Sequence, residues 1–172
     1  MPQQQEFLFC FTVDTEPDNL WANRSVLTFE HFRDLPGFHE RICDAGAAPT
    51  YLTTSEVAES LEGQRSLDRC RERHVCEIGA HFHTWTREWP FPVPDLGNPR
   101  LHAMAHRLGQ KIEQAMLSFT CDALHRAFNI EPRSYRGGRW SLGPDSEQSL
   151  RNCGISVDSL RLTAEISGVS PR

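Results

Sequence analysis

An α/β fold built on a parallel sheet is predicted by three features of this chain. Short apolar runs end in polar residues, segments of helical periodicity lie between them, and Gly or Pro marks most of the joins. The alternation repeats along the chain and yields about five strands, arranged as an open sheet or part of a barrel.

Residues 7–13 are nearly all apolar and read as a first strand buried on both faces, as in a sheet covered by helices. In residues 29–45, Phe29, Phe32, Leu35, Phe38 and Ile42 recur at helical spacing, with Pro36 as an interruption or a fresh start and Gly46 as a stop. Residues 49–53 resemble a short second strand, and Thr54 or Ser55 is placed to cap a helix running through Leu61. Arg69, Arg71 and Arg73 alternate with Cys70, Glu72 and His74, the pattern of a solvated loop or helix face. Residues 75–80 form the third expected strand. Pro, Gly and aromatic residues exclude a regular helix from 85 to 99, which reads as a long loop beside the strand end. Residues 101–128 carry the strongest helical period, from Leu101, Met104, Ala105 and Leu108 to Leu124 and Ala127, with Asn129 near its end. A fourth strand over 132–136 opens into Gly137-Gly138-Arg139-Trp140. Pro144 and Asp145 start a short helix, and residues 154–158 give a fifth strand.

Size and charge narrow the function. The chain has 172 residues, 38% of them hydrophobic, which suits one domain over 1–172 with a real core. A formal charge of -5 supplies no basic footprint for nucleic acid. No apolar run approaches the roughly 18 residues of a membrane span. The opening Met-Pro-Gln-Gln-Gln-Glu lacks the basic region of a signal peptide, so a cytoplasmic location is expected. The six cysteines contain no CxxC pair, and reduced, packed thiols are expected rather than a disulfide framework or a thiolate zinc site.

Two segments carry chemistry. In residues 11–16, Asp14 and Glu16 stand two apart at the end of an apolar run, and in residues 77–85 His81 and His83 do the same. That spacing puts both side chains of a pair on one side of an extended backbone. Two strand ends in one sheet could then bring carboxylate and imidazole together around a divalent cation, which would make hydroxide available near neutral pH. The competing account has the acids capping the turn at Pro17 and Asp18 and the histidines bonding within a loop. His102 and His106, four apart on the long helix, read as an exposed or groove-lining pair. Arg136 and Arg139 flank two glycines and could fix a carboxylate or clamp an anionic substrate. Trp85, Trp89 and Trp140 are candidate platforms for a sugar ring, or else core or lid residues. Asp158, at the fifth strand, is placed to orient Arg136 or a ligand histidine.

These residues resemble the polysaccharide deacetylase family, the NodB-homology carbohydrate esterases, over most of the chain from about residue 7 to 162. Phe11-Thr12-Val13-Asp14-Thr15-Glu16 is similar to the family's first motif, which implies Asp14 as general base and Glu16 as the metal carboxylate, or the two exchanged. Glu77-Ile78-Gly79-Ala80-His81 resembles the approach to its histidine motif and implies His81 as a ligand. The usual second histidine, four positions later, is Trp85 here, so His83 takes that place. Tyr135-Arg136-Gly137-Gly138-Arg139-Trp140 resembles the third motif, which implies that Arg136 orients the base; residues 154–158 resemble the region of the fourth. Gly-Ala-His-Phe-His-Thr-Trp and Asp14-Thr15-Glu16-Pro17-Asp18 resemble a branch found with bacterial surface-polysaccharide genes.

The resemblance implies a partial or shortened distorted (β/α)7 barrel of about five parallel strands. It implies removal of N-acetyl groups from amino sugars, with zinc as cofactor and cobalt, nickel or manganese as alternatives. The late Leu-x-x-His motif that supplies the family's general acid has no counterpart, so the chain is expected to lack the carboxy-terminal strands. An open sheet edge then calls for self-association or a partner to cover it. The rival expectations are a catalytically impaired sugar- or metal-binding module, an amidohydrolase of small C–N substrates, and a purely structural fragment.

Overall fold

The computed structural model describes residues 9–22 and 26–159. Within them, five strands form one parallel sheet in sequence order: β1 (Thr12–Thr15), β2 (Thr50–Thr53), β3 (Glu77–Phe82), β4 (Ser134–Gly137) and β5 (Val157–Asp158). Parallel neighbours need crossover connections. These contain α1 (Leu35–Asp44), α2 (Ser55–Glu59), α3 (Leu61–Arg73), α4 (Pro99–His102), α5 (Gln110–Phe128) and α6 (Ser146–Asn152). The five-stranded parallel sheet with flanking helices is a partial (β/α) barrel. Among the described residues β1 and β5 each pair on one side alone.

Strand alternation gives the sheet two chemically different faces. On one, Tyr51, Ile78, Ala80, Phe82 and Tyr135 are buried against Met116, Leu117 and Leu124 of α5 and Leu67 of α3. Each large apolar side chain so buried contributes about 1.5–3 kcal/mol. The other face carries the polar set. Asp14 pairs in register with Leu52, Leu52 with Gly79, and His81 with Arg136. Gly79 is needed there, because a Cβ would lie 2.1 Å from Ser134 Oγ and 2.8 Å from Leu52 Cδ2. The helices thus bury one face and leave the other for chemistry.

Several elements differ from their sequence-based bounds. The first strand begins at Thr12, and Phe9 is 80% exposed; Phe7 and Leu8 lie outside the described residues. Its burial on both faces is corrected, because Thr12 and Val13 are half-buried and Asp14 is exposed; β1 stands at the sheet edge among those residues. The single helix expected over 101–128 is three pieces: α4 ends at His102, a 3-10 turn spans Ala105–Leu108, and α5 starts at Gln110. Gly109 makes the break with φ 94° and ψ 149°, a conformation a right-handed helix cannot hold. Asn129 ends α5 in the left-handed conformation, as its position implies. The helix expected through Leu61 stops at Glu59. Ser60 then caps α3, its Oγ accepting from the Gly63 N–H at 2.9 Å. Arg69, Arg71 and Arg73 lie on the exposed face of α3, and all six cysteines are free. No helix among the described residues is long and apolar enough to cross a membrane.

Candidate metal centre

Glu16 lies just past β1, His81 is the fifth residue of β3, and His83 follows its end. The two-residue step puts both imidazoles on the polar face. His83 Nε2 stands 2.9 Å from Glu16 Oε2 and 3.1 Å from His81 Nε2, and His81 Nε2 is 3.6 Å from the same carboxylate oxygen. All three donor atoms fall within 4.8 Å of one another. A four-coordinate zinc site with bonds of about 2.0–2.1 Å has donor–donor edges of about 3.3–3.4 Å. The observed triangle matches that size.

Protonation supports the same fit. His81 Nδ1 donates to the Arg136 carbonyl oxygen at 2.6 Å, which fixes the tautomer and leaves a lone pair on Nε2. Burial alone would raise the Glu16 pKa. Hydrogen bonds from His83 and Trp21, with His81 close by, outweigh it and hold the carboxyl well below the usual range. Burial pushes the His83 imidazole below its ordinary value, and the Glu16 hydrogen bond offsets part of that. The result is an ionised carboxylate facing two imidazole nitrogens, with burial favouring the neutral form of His83. This is the donor set of a borderline divalent cation.

On the Nδ1 side, rings rather than a hydrogen bond hold His83. Its Nδ1 is buried without a partner. Trp21 meets its ring edge-on at a centroid distance of 5.1 Å, and Trp85 lies 4.5 Å away on a tilted plane. Gly138 closes the third side, since a Cβ there would come within 2.5 Å of His83 Nδ1. Trp21 also donates its indole N–H to Glu16 Oε1 at 2.9 Å, so one side chain braces two of the three donors.

Asp14 sits beside this cluster, tied to it through Arg136. The Arg136 guanidinium donates to Asp14 Oδ1 at 2.6 Å, to Thr12 Oγ1 at 2.6 Å and to Ser159 Oγ at 3.0 Å. Trp140 covers the guanidinium, with Cζ 4.9 Å from its ring centroid. One arginine therefore joins β1, β4 and the end of β5 while its carbonyl steers His81.

The remaining sequence candidates divide. Trp85 and Arg139 line one cavity with Trp21 and His102. Trp140 is exposed above Arg136. Trp89 is not brought to the site. It packs on Phe82, Phe91 and Phe119 on the helix side, and its indole N–H is spent on the Thr84 carbonyl at 2.9 Å. Asp158 pairs in register with Tyr135, and Ser159, the next residue, accepts from the Arg136 Nε–H at 3.0 Å. Asp18 organises the following loop by accepting from the Glu30 and His31 N–H groups. His102 and His106 do not share a helix face, because His106 lies in the 3-10 turn and its Nδ1 bonds Ser141 Oγ at 2.7 Å.

Trp21, Thr12 and Ser159 are not singled out for the site by the sequence, whereas His102 lines the cavity, one of the two readings its sequence position allows. Trp21 carried one usable signal, an indole five residues after Glu16 in a polar loop.

No family model and no curated protein matches the chain. Solved structures do. A mutant of BA3943, described as a CE4 family pseudoenzyme with restored enzymatic activity, is 15% identical with a TM-score of 0.56 over 87% of this chain and 43% of that one. Wild-type BA3943, the CE4 family pseudoenzyme from Bacillus anthracis, is 13% identical with a TM-score of 0.55 over 87% and 41%. A putative polysaccharide deacetylase from Mycobacterium smegmatis is 19% identical with a TM-score of 0.56 over 87% and 49%. The chain spans less than half the length of each of these proteins. At these identities the likeness is one of fold: the described sheet and helices follow part of the architecture of CE4 family structures.

Proposed function

We propose that the chain is a divalent-metal-dependent hydrolase that removes N-acetyl groups from amino sugars of a polysaccharide or its precursor. The carrying observation is the convergence of Glu16, His81 and His83 beside the Arg136-held carboxylate of Asp14. Those three residues would hold the cation. Zinc suits two imidazoles and one carboxylate, with cobalt, nickel or manganese as alternatives. A cation bound there would supply Lewis-acid polarisation of the amide carbonyl and a lowered pKa for a water.

Asp14 is the general base in this reading. It takes a proton from the attacking water as the new C–O bond forms at the carbonyl carbon. When the C–N bond breaks, acetate and a free amine leave, and the amine needs the proton that Asp14 received. Arg136 fixes the direction of the carboxylate through its 2.6 Å bond. Trp85, Arg139 and Trp140 offer the sugar an aromatic and cationic surface.

A second reading keeps the metal and the scaffold without turnover, and the description of BA3943 as a pseudoenzyme favours it. One experiment separates the two. Zinc-loaded protein is incubated with N-acetylated oligosaccharides and released acetate is measured, with Asp14→Asn as control. Acetate release that Asp14→Asn abolishes, with zinc still bound, supports the hydrolase. Metal binding without acetate supports the second reading, and release from small amides alone points to an amidohydrolase.

A further inference from the structure

Beside the metal centre lies a cavity of about 350 Å³ walled by Trp21, Trp85, His102 and Arg139, within the size range of small-molecule sites. It is contiguous with the reacting centre, because Trp21 and Trp85 are the two rings that flank His83. Arg139 stacks on both, with Cζ 4.7 Å from the Trp21 centroid and 5.4 Å from that of Trp85.

Three features distinguish this cavity from a plain sugar platform. Among the described residues Arg139 has no carboxylate within salt-bridge reach, whereas Arg136 three residues earlier is paired with Asp14. Among the described residues the lining holds no Asp or Glu, and Glu16 behind it is committed to two histidines and the Trp21 indole. Arg139 and Trp140 also hold φ of 59° and 55°, a left-handed conformation that costs side-chain-bearing residues energy and favours glycine. Glycine stands at 137 and 138, yet the next two positions carry an arginine and a tryptophan. A further polar group is present at the wall, since His102 Nδ1 is buried with no partner.

A flat aromatic pair accepts the face of a sugar ring, and a stacked guanidinium pre-sets its fork for a carboxylate. We propose that this cavity is a subsite for a carboxylate-bearing amino sugar. The hydrolase proposed above therefore acts on an acidic glycan, with the acid group on the deacylated residue or its neighbour. The reaction named rests on that reading, but the charge preference does not.

The test uses chelator-treated, metal-free protein, so binding is read without turnover. Isothermal titration compares N-acetylgalactosaminuronic acid with N-acetylgalactosamine, which differ only in the carboxylate, and with N-acetylgalactosamine 6-sulfate. The acid is expected to bind at least about tenfold tighter than the neutral sugar, as one charge-assisted pair would give. Arg139→Gln should erase the difference between acid and neutral sugar, while Arg139→Lys restores part of it. Equal affinity for acid and neutral sugar, or a preference that survives Arg139→Gln, overturns the proposal. So does a 6-sulfate that binds as tightly as the carboxylate. Failure of acetate release would remove the hydrolase reading and leave this result standing, and the reverse also holds.

Discussion

Gly138→Ala is expected to disable the metal centre without unfolding the protein. A Cβ at that position would lie 2.5 Å from His83 Nδ1 and 2.5 Å from the Phe82 carbonyl oxygen. Neither neighbour yields freely, for the carbonyl belongs to β3 and the imidazole is flanked by Trp21 and Trp85. Ordinary contact requires a displacement of about 1 Å. That is several times the tolerance of roughly 0.2 Å on a metal–ligand bond. Changing a mere support of a ligand costs about 10–100-fold in affinity, so dislodging the ligand itself should cost at least about 100-fold. The corresponding free energy is about 2.8 kcal/mol. Zinc titration by calorimetry, with circular dichroism to verify folding, measures the effect. Gly143→Ala is the control, because its crowding falls on His106 Cβ at 2.6 Å. It should lower the melting temperature and leave zinc affinity unchanged. Wild-type affinity in Gly138→Ala, or equal losses in both variants, would refute the reasoning.

Further outcomes follow from the same geometry. Trp21→Phe keeps the ring beside His83 but removes the donor to Glu16 Oε1, and calorimetry should show about a tenfold loss of zinc affinity. Arg136→Met should cost about 1.5–3 kcal/mol in urea unfolding, below the roughly 3–5 kcal/mol for breaking a fully buried pair, because Asp14 is 36% exposed and water re-solvates it. The same variant should abolish acetate release if Asp14 is the base. Without metal, acid should destabilise the fold in two stages. The His83 pKa is depressed in the folded state, so the unfolded chain gains that proton first and stability falls as pH drops below about 6.5. Glu16 is likewise depressed, and its contribution, complete above about 4.5, is lost as pH falls further. Thermal melts in chelator between pH 3 and pH 8 should show the decline, and a flat profile would contradict it.

The sheet was legible because each strand ends in a sharp change of polarity, and the pairs Asp14/Glu16 and His81/His83 read correctly as same-side residues from their spacing alone. Strand position was less legible. The apolar run over 7–13 is offset from β1, because burial of an edge strand is set by its neighbours rather than by its own composition. The helix over 101–128 was over-extended because the apolar period runs through Gly109, where a backbone-only signal outweighed the side-chain pattern. Trp89 was indistinguishable from Trp85 in a loop of aromatics, and only packing against Phe82 and Phe119 separates them. Ser159, Thr12 and Gly138 act through contacts with residues distant in the chain, which no local pattern encodes.

The central claim is that one cation is gripped by Glu16, His81 and His83. Its most direct test is an anomalous difference map from a zinc-soaked crystal, collected on both sides of the zinc absorption edge. A single strong peak bonded at about 2.0–2.2 Å to Glu16 Oε2 and to both Nε2 atoms is the expected result. A map with no peak among those three atoms, or with zinc held elsewhere while they stay bare, would contradict it.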